Sequence, residues 1–170
     1  MDRQRSDFEE FAIACTPALL RSAYLLTGDR HLAEDLVQSA LARTHRAWKR
    51  VGRDGNPQAY TRKTMYHLQV SWWRRRKVPE SLTDIPVERP VADATGEVDL
   101  KVSLRAALFQ LSRRHRAVVV LRYFEDRSVA QTAEILGRSE GTVKTQTLRA
   151  LSKLRSVLPT PFELTNGATS

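Results

Sequence analysis

Lys144, Thr145, Leu148, Arg149 and Ser152 fall at spacings that put them on one face of a helix. The set combines a guanidinium fork, an ammonium point charge, two hydroxyls and one apolar tip. That inventory suits the edges of base pairs in a major groove: a fork for guanine, a methyl-seeking side chain for thymine, and cations for phosphates. A second group runs from Tyr60 to Lys77, where Tyr60, Tyr66, His67, Trp72 and Trp73 precede or flank Arg74, Arg75, Arg76 and Lys77. Aromatic faces beside cations bind single strands, with bases stacking and the backbone tracking the charges. The competing assignment for this run is core tryptophan beside a solvated helix end that complements the macrodipole. Chemistry of bond-making kinds finds less support. His31, His45, His67 and His115 lack partners four residues away, and the acid pairs Glu9–Glu10 and Glu125–Asp126 diverge on a helix. No metal-spaced Cys/His set, phosphate-cradling glycine loop or nucleophile elbow is present, so no enzyme activity, metal or cofactor is expected.

The elements that would position these groups are helical. Val129, Ala130, Ala133, Ile135 and Leu136 give a short helix its apolar side, Gly137 stops it, and Ser139 caps the next. Val143, Thr147, Ala150, Leu151 and Leu154 then form a buried stripe opposite the polar face. The pattern is a helix-turn-helix; an ordinary αα-hairpin is the competing assignment. Upstream, Asp7 is a candidate cap for a helix carrying Phe8, Phe11, Ala12 and Cys15, and Pro17 predicts a kink or a fresh start capped by Thr16. A stretch from Ala18 to Leu26 ends at Thr27–Gly28. Asp29 opens a long helix with Ala33, Leu36, Val37, Ala40, Leu41, Thr44 and Trp48 along one side. Residues Gly52 to Pro57 are a loop, and a further helix follows from about Gln58.

Charge is distributed in three blocks. The net charge of +9 divides into +7 over residues 1–77, −5 over 78–99 and +7 over 100–170. Basic lobes attract phosphates, whereas the acidic strap stays in solvent or meets a basic partner. With Pro79, Pro86, Pro90 and Gly96, the strap cannot build a core. Lone Cys15 forms no internal disulfide and reads as a small buried side chain. No apolar run approaches the roughly 20 residues of a membrane span, and MDRQRSDFEEF lacks the apolar centre of a signal peptide. The expected compartment is the cytoplasm. Residues 159–170 are expected to be a disordered tail.

The segments DRHLAEDLVQ (29–38), AYTRKTMYHLQVSWWRRRK (59–77) and SVAQTAEILGRSEGTVKTQTLRALSKLR (128–155) together resemble bacterial extracytoplasmic-function sigma factors, most of all the actinobacterial sigma-E-like subfamily. The resemblance implies an all-α fold of two small helical domains. Region 2 would span 1–77, a flexible acidic linker 78–99, and region 4 with its helix-turn-helix 100–158. It implies a factor that binds RNA polymerase core, through the clamp helices of the β′ subunit and the flap of the β subunit, and then directs it to promoter DNA and opens the duplex. Asp35, Leu36 and Gln38, with Arg43 and Arg46, match the segment that docks on core. Val51, Gln58, Tyr60, Arg62, Lys63, Tyr66, His67, Trp72, Arg74, Arg75 and Arg76 match the part that reads and melts the −10 element. Many relatives carry Asn where this chain has His67. Lys144, Thr145, Leu148 and Arg149 match the −35 reader, and Arg138 and Ser139 its phosphate contacts. The linker would run through the polymerase cleft, and an anti-sigma factor is a further partner. The rival from another class is a stand-alone helix-turn-helix regulator, which would share residues 128–155 but leave the aromatic–basic run and acidic strap unexplained.

Overall fold

The computed structural model describes residues 2–52, 55–75 and 96–158, with side chains given except for 73–75 and 96–102. Every regular element among them is helical: α1 Asp2–Thr27, α2 Arg30–Arg46, α3 Trp48–Val51, α4 Pro57–Arg75, α5 Gly96–Gln110, α6 Arg113–Val119, α7 Val129–Leu136 and α8 Glu140–Val157. Residues Val120–Phe124 continue α6 as a π turn.

Local chemistry sets the boundaries. Gly28 takes φ +67°, which ends α1, and the Asp29 carboxylate accepts from Leu32 N–H at 3.0 Å to start α2. Asn56 does the same for α4 through Ala59 N–H at 3.0 Å, with Pro57 at the first helical position. Two expectations for α1 are corrected. The helix begins at Asp2 rather than at Asp7, and it continues past Pro17, so there is no fresh helical start capped by Thr16. Pro17 and Ile13 are on the exposed side, so the Ile13 carbonyl that loses its usual donor faces solvent. The Thr16 hydroxyl caps nothing; it donates back to the Ala12 carbonyl at 2.6 Å.

The first lobe packs α1, α2 and α4 around Leu19, Ala23, Leu26, Leu36, Val37, Ala40 and Met65. A turn at Ala47 separates Trp48 from α2, and Trp48 instead meets Phe8 edge-on at 5.2 Å. The second lobe joins α5, α6 and α8 over Ala107, Leu108, Leu111, Val119, Ala150, Leu151 and Leu154. Its helix α5 starts inside the segment assigned to the linker, because 96–99 are already helical. Residues 76–95 and 159–170, and with them most of the acidic strap and the tail, lie outside the described residues.

The lobes are not separate. One contiguous core holds Leu19, Leu36 and Tyr66 of the first together with Val118, Leu121, Leu136 and Val143 of the second. Helix α4 is the shared element and packs against both α2 and α7. Buried on more than one side (Thr61, Met65, Tyr66, Leu68 and Gln69), it needs apolar residues around a wide arc.

Candidate nucleic-acid interface

The helix-turn-helix is built by paired caps. The Ser128 hydroxyl accepts from Gln131 N–H at 3.0 Å while the Gln131 side chain accepts from Ser128 N–H at 3.0 Å. Gly137 sits at φ +64° to close α7, and Ser139 accepts from Thr142 N–H at 3.1 Å to open α8. The stripe of α8 is buried as its spacing predicts: Val143, Thr147, Ala150, Leu151 and Leu154. In α7, Ala133 and Leu136 are buried and Val129 and Ile135 pack against the core, but Ala130 is exposed and Thr132 takes the inward place.

Opposite that stripe, Lys144, Thr145, Leu148, Arg149 and Ser152 all face solvent, and Leu148 is 70% exposed. An apolar side chain that bare on a basic face suits a thymine methyl. Two neighbours are already engaged. Arg138 is half-buried and donates to the Gln146 side-chain carbonyl at 2.6 Å, and the Ser139 hydroxyl donates to Thr142 Oγ1 at 2.8 Å as well as capping. The Thr145 hydroxyl rests on the Gly141 carbonyl at 3.0 Å. Beneath this face His115 is held below the ordinary imidazole range, first by burial and then by the Arg149 and Arg138 charges.

On α2 the expected core-docking residues divide. Asp35, Gln38, Arg43 and Arg46 are exposed, and Gln38 and Arg46 border a largely apolar groove of about 1190 Å³ between α1 and α2 that also takes in Ile13 and Leu41. Leu36, expected among the docking residues, is fully buried and belongs to the helix's inner stripe, so it supports the docking face from within rather than lying on it. A second, basic hollow of about 530 Å³ lies where α2, α3 and α4 meet, lined by Arg43, Arg46, Lys49, Arg50 and Tyr60. The Arg50 guanidinium lies 5.8 Å above the Tyr60 ring.

The chain matches "Sigma-70 region 2" over residues 12–78 and "Sigma-70, region 4" over residues 101–154. It is 41% identical over 152 residues to the RNA polymerase sigma-E factor of Streptomyces coelicolor, covering 89% of this chain and 86% of that one. Against the extracytoplasmic-function sigma factor SigM of Mycobacterium tuberculosis the identity is 31%, over 82% of this chain and 71% of that one. The chain belongs to the sigma-70 family of RNA polymerase sigma factors. Within that family it falls in the extracytoplasmic-function group, whose members bind polymerase core and promoter DNA. The match to region 2 beside region 4 favours a sigma factor over a stand-alone helix-turn-helix regulator. The fold is shared with the Bartonella quintana sigma factor RpoE, solved with the anti-sigma factor NepR. That similarity has a TM-score of 0.70 and 22% identity and covers 89% of this chain and 96% of that one. It is shared also with CnrH, solved with the cytosolic domain of CnrY, with a TM-score of 0.60 and 19% identity over 88% and 85% of the two chains.

In this sigma factor the residues matched to −10 reading are scattered between solvent and interior. Gln58, Lys63 and His67 are exposed, and Tyr60 is half-buried in the basic hollow. Val51 is buried, Trp72 packs against the core, and Tyr66 has no exposed surface. Those three are therefore packing groups in this arrangement rather than open platforms for bases. Arg62 donates to Glu125 Oε1 at 2.7 Å and the Tyr66 hydroxyl to Glu125 Oε2 at 2.6 Å. Burial and the facing carboxylate push the Tyr66 phenol well above its ordinary range. His67 Nε2–H donates to the Ile135 carbonyl at 3.0 Å. The side chains of Trp73, Arg74 and Arg75, and the whole of Arg76, lie outside the described residues. Sequence reasoning missed the groups that bind the lobes together: Glu125, Phe109 and Arg116. Arg116 donates to the carbonyls of Leu26, Leu108 and Leu111 at 2.8, 2.9 and 3.1 Å. Arg116 closes the basic run Arg113-Arg114-His115-Arg116 at the edge of the apolar stretch Ala117-Val118-Val119-Val120, so its sequence surroundings carried no signal that this one cation is buried.

Proposed function

We propose that the exposed face of α8 reads the −35 element while α4 and the hollow beside it handle the melted −10 strand. The observation that carries this is the free basic face of α8, with Lys144, Leu148 and Arg149 all exposed. Arg149 supplies the bidentate base contact, Leu148 a methyl contact, and Lys144 and Arg138 neutralise phosphates. Asp35, Gln38, Arg43 and Arg46 meet the polymerase clamp, and Lys49, Arg50 and Tyr60, on the α3 and α4 side of the basic hollow, receive strand phosphates and one stacked base. The first 77 residues thus act on core and the −10 element, residues 100–158 on the −35 element, and the acidic strap between them bridges the polymerase. The polymerase performs the chemistry; this chain acts in the cytoplasm as its specificity factor and not as an enzyme. Among the described residues no helix is long and apolar enough to cross a membrane and no acidic, His or Cys group is arranged for a metal. An anti-sigma factor is the natural antagonist, by likeness to the relatives solved with one.

Reconstitution with core polymerase followed by genome-wide mapping of start sites tests the reading. A common −35 and −10 pair upstream of the starts is expected, and initiation no different from core alone would refute it. Alanine at His67 should slow open-complex formation on duplex template and not on template pre-melted over the −10 region. Equal loss on both would refute a role in strand capture.

A further inference from the structure

Basic side chains from three elements gather beside the exposed face of α8, and one of them, His115, has no role in the reading above. Arg114 and His115 stand in the first turn of α6, Arg138 in the turn before α8, and Arg149 on α8 itself. Helices α6 and α8 pack against each other. Arg138 is fixed across the turn by its 2.6 Å bond to Gln146, which lies three residues before Arg149 and so on the same side of α8. The His115 backbone N–H donates to the Ser112 hydroxyl at 3.2 Å, but its half-buried imidazole makes no hydrogen bond among the described residues. The charges that act on this ring are Arg149 from α8 and Arg138 from the turn. On its own helix, Arg114 acts on Arg138, and Arg113 donates to the Gln69 carbonyl at 3.4 Å. Arg116 turns the other way, into the seam between the lobes, where it holds the Leu26 carbonyl. No carboxylate is paired with Arg114, Arg138 or Arg149 among the described residues. Cations gathered without an acid leave a place that an anion fills.

We propose that His115 is a further DNA-contacting residue, its imidazolium donating to a backbone phosphate beside the −35 contacts, so that promoter binding takes up a proton. The inference rests on the −35 assignment of α8 given above. A helix whose exposed face enters the major groove brings its flanking elements against the groove walls, which are phosphates. Arg149 belongs both to that face and to the cluster, which places His115 at the wall. A neutral imidazole offers one ordinary donor, whereas the imidazolium offers a charge-assisted bond. In the free protein, burial and the two arginine charges keep the ring neutral at neutral pH. A phosphate reverses that balance, because it attracts the imidazolium and offsets the repulsion from Arg138 and Arg149 at once. The bound-state pKa therefore lies above the free-state one. Affinity rises as pH falls through the bound-state value and levels off below the free-state value.

The test uses holoenzyme assembled from the full chain and core polymerase, with fluorescence anisotropy on a promoter duplex at about pH 8 and about pH 6. Titrations of the polymerase cancel in the comparison of wild type with His115→Gln and His115→Arg, each first checked for native helicity and core affinity. On acidification wild type should gain about threefold to tenfold more affinity than His115→Gln does. His115→Arg should bind tightly at both values and gain no more than His115→Gln. The slope of log affinity against log salt should steepen on acidification by about one in wild type relative to either variant. Neutral methylphosphonates placed singly along the duplex should find a phosphate whose loss removes the extra pH dependence of wild type. A wild-type pH response that matches His115→Gln would overturn the proposal. So would a His115→Gln defect seen only as lost discrimination between intact and scrambled −35 sequences, because a phosphate contact is blind to sequence. Equal binding of intact and scrambled −35 duplex by wild type would instead refute the −35 reading, and the pH and salt comparisons would still decide whether His115 meets a phosphate.

Discussion

Replacing Arg116 by Met would test whether one guanidinium organises the centre of this protein. Arg116 is only 7% exposed and donates three hydrogen bonds, two to the end of α5 and one to the end of α1. Its ring partner is Phe109, with the guanidinium 4.2 Å from the centroid. Hydrogen bonds from a charged donor contribute about 1.5–3 kcal/mol each, so three lost bonds alone would cost well over 4 kcal/mol. Against this stands the cost of holding the charge inside. Burial, reinforced by Arg113, lowers the Arg116 pKa from the usual guanidinium range to about 10, which corresponds to roughly 3 kcal/mol that Met recovers. The net loss should be about 2–5 kcal/mol, the lower figure applying where water reaches the freed carbonyls. Arg116→Lys should not restore it, because one ammonium cannot span three carbonyls on two helices. Urea unfolding followed by circular dichroism measures the difference. A loss below about 1 kcal/mol, or full rescue by Lys, would refute the claim that these three bonds outweigh the buried charge.

Other consequences are open to direct measurement. Arg149→Ala should cost about 1–3 kcal/mol of −35 discrimination with core affinity unchanged, measured by competition between intact and scrambled −35 templates. Ser128→Ala removes the hydroxyl that accepts from Gln131 N–H while leaving the backbone N–H that donates to the Gln131 side chain, and should lower stability by about 1 kcal/mol, whereas Ser128→Asp should be near neutral in thermal melts. His115 titrates below its ordinary value when folded, so its contribution to stability is intact above about pH 6.5 and is lost as pH falls through the folded pKa. Arg149→Ala removes one of the charges responsible and should raise the His115 pKa in an NMR titration; an unmoved titration would count against that coupling.

Helix-turn-helix chemistry was legible because it is local. Gly137, Ser139 and the stripe from Val143 to Leu154 specify a turn, a cap and a buried face within a few residues of each other, and the structure uses each of them so. The long helix from Asp29 was legible for the same reason. What periodicity could not reveal was the partner of each face. Leu36, Val51 and Tyr66 were assigned to outside contacts because a family motif marks positions without saying which way they point, and all three are buried. Pro17 misled in the opposite sense: the penalty for a missing N–H is small where the orphaned carbonyl faces water. The seam through Glu125 joins residues 59 or more positions apart, a separation at which no spacing rule operates.

Tyr66 shows what sharing α4 between two lobes implies for how such a chain can diverge. A side chain at this position must fill the interior and satisfy Glu125 while its helix, on the proposed reading, serves the DNA strand. Leu148, by contrast, faces solvent and, on the proposed reading, answers to DNA alone. Substitutions on α8 can therefore retune duplex preference one residue at a time, at little cost in stability. A change at Tyr66 needs accompanying changes across the seam. The two halves of a promoter should consequently drift at different rates among close relatives, with the −35 sequence the freer of the two.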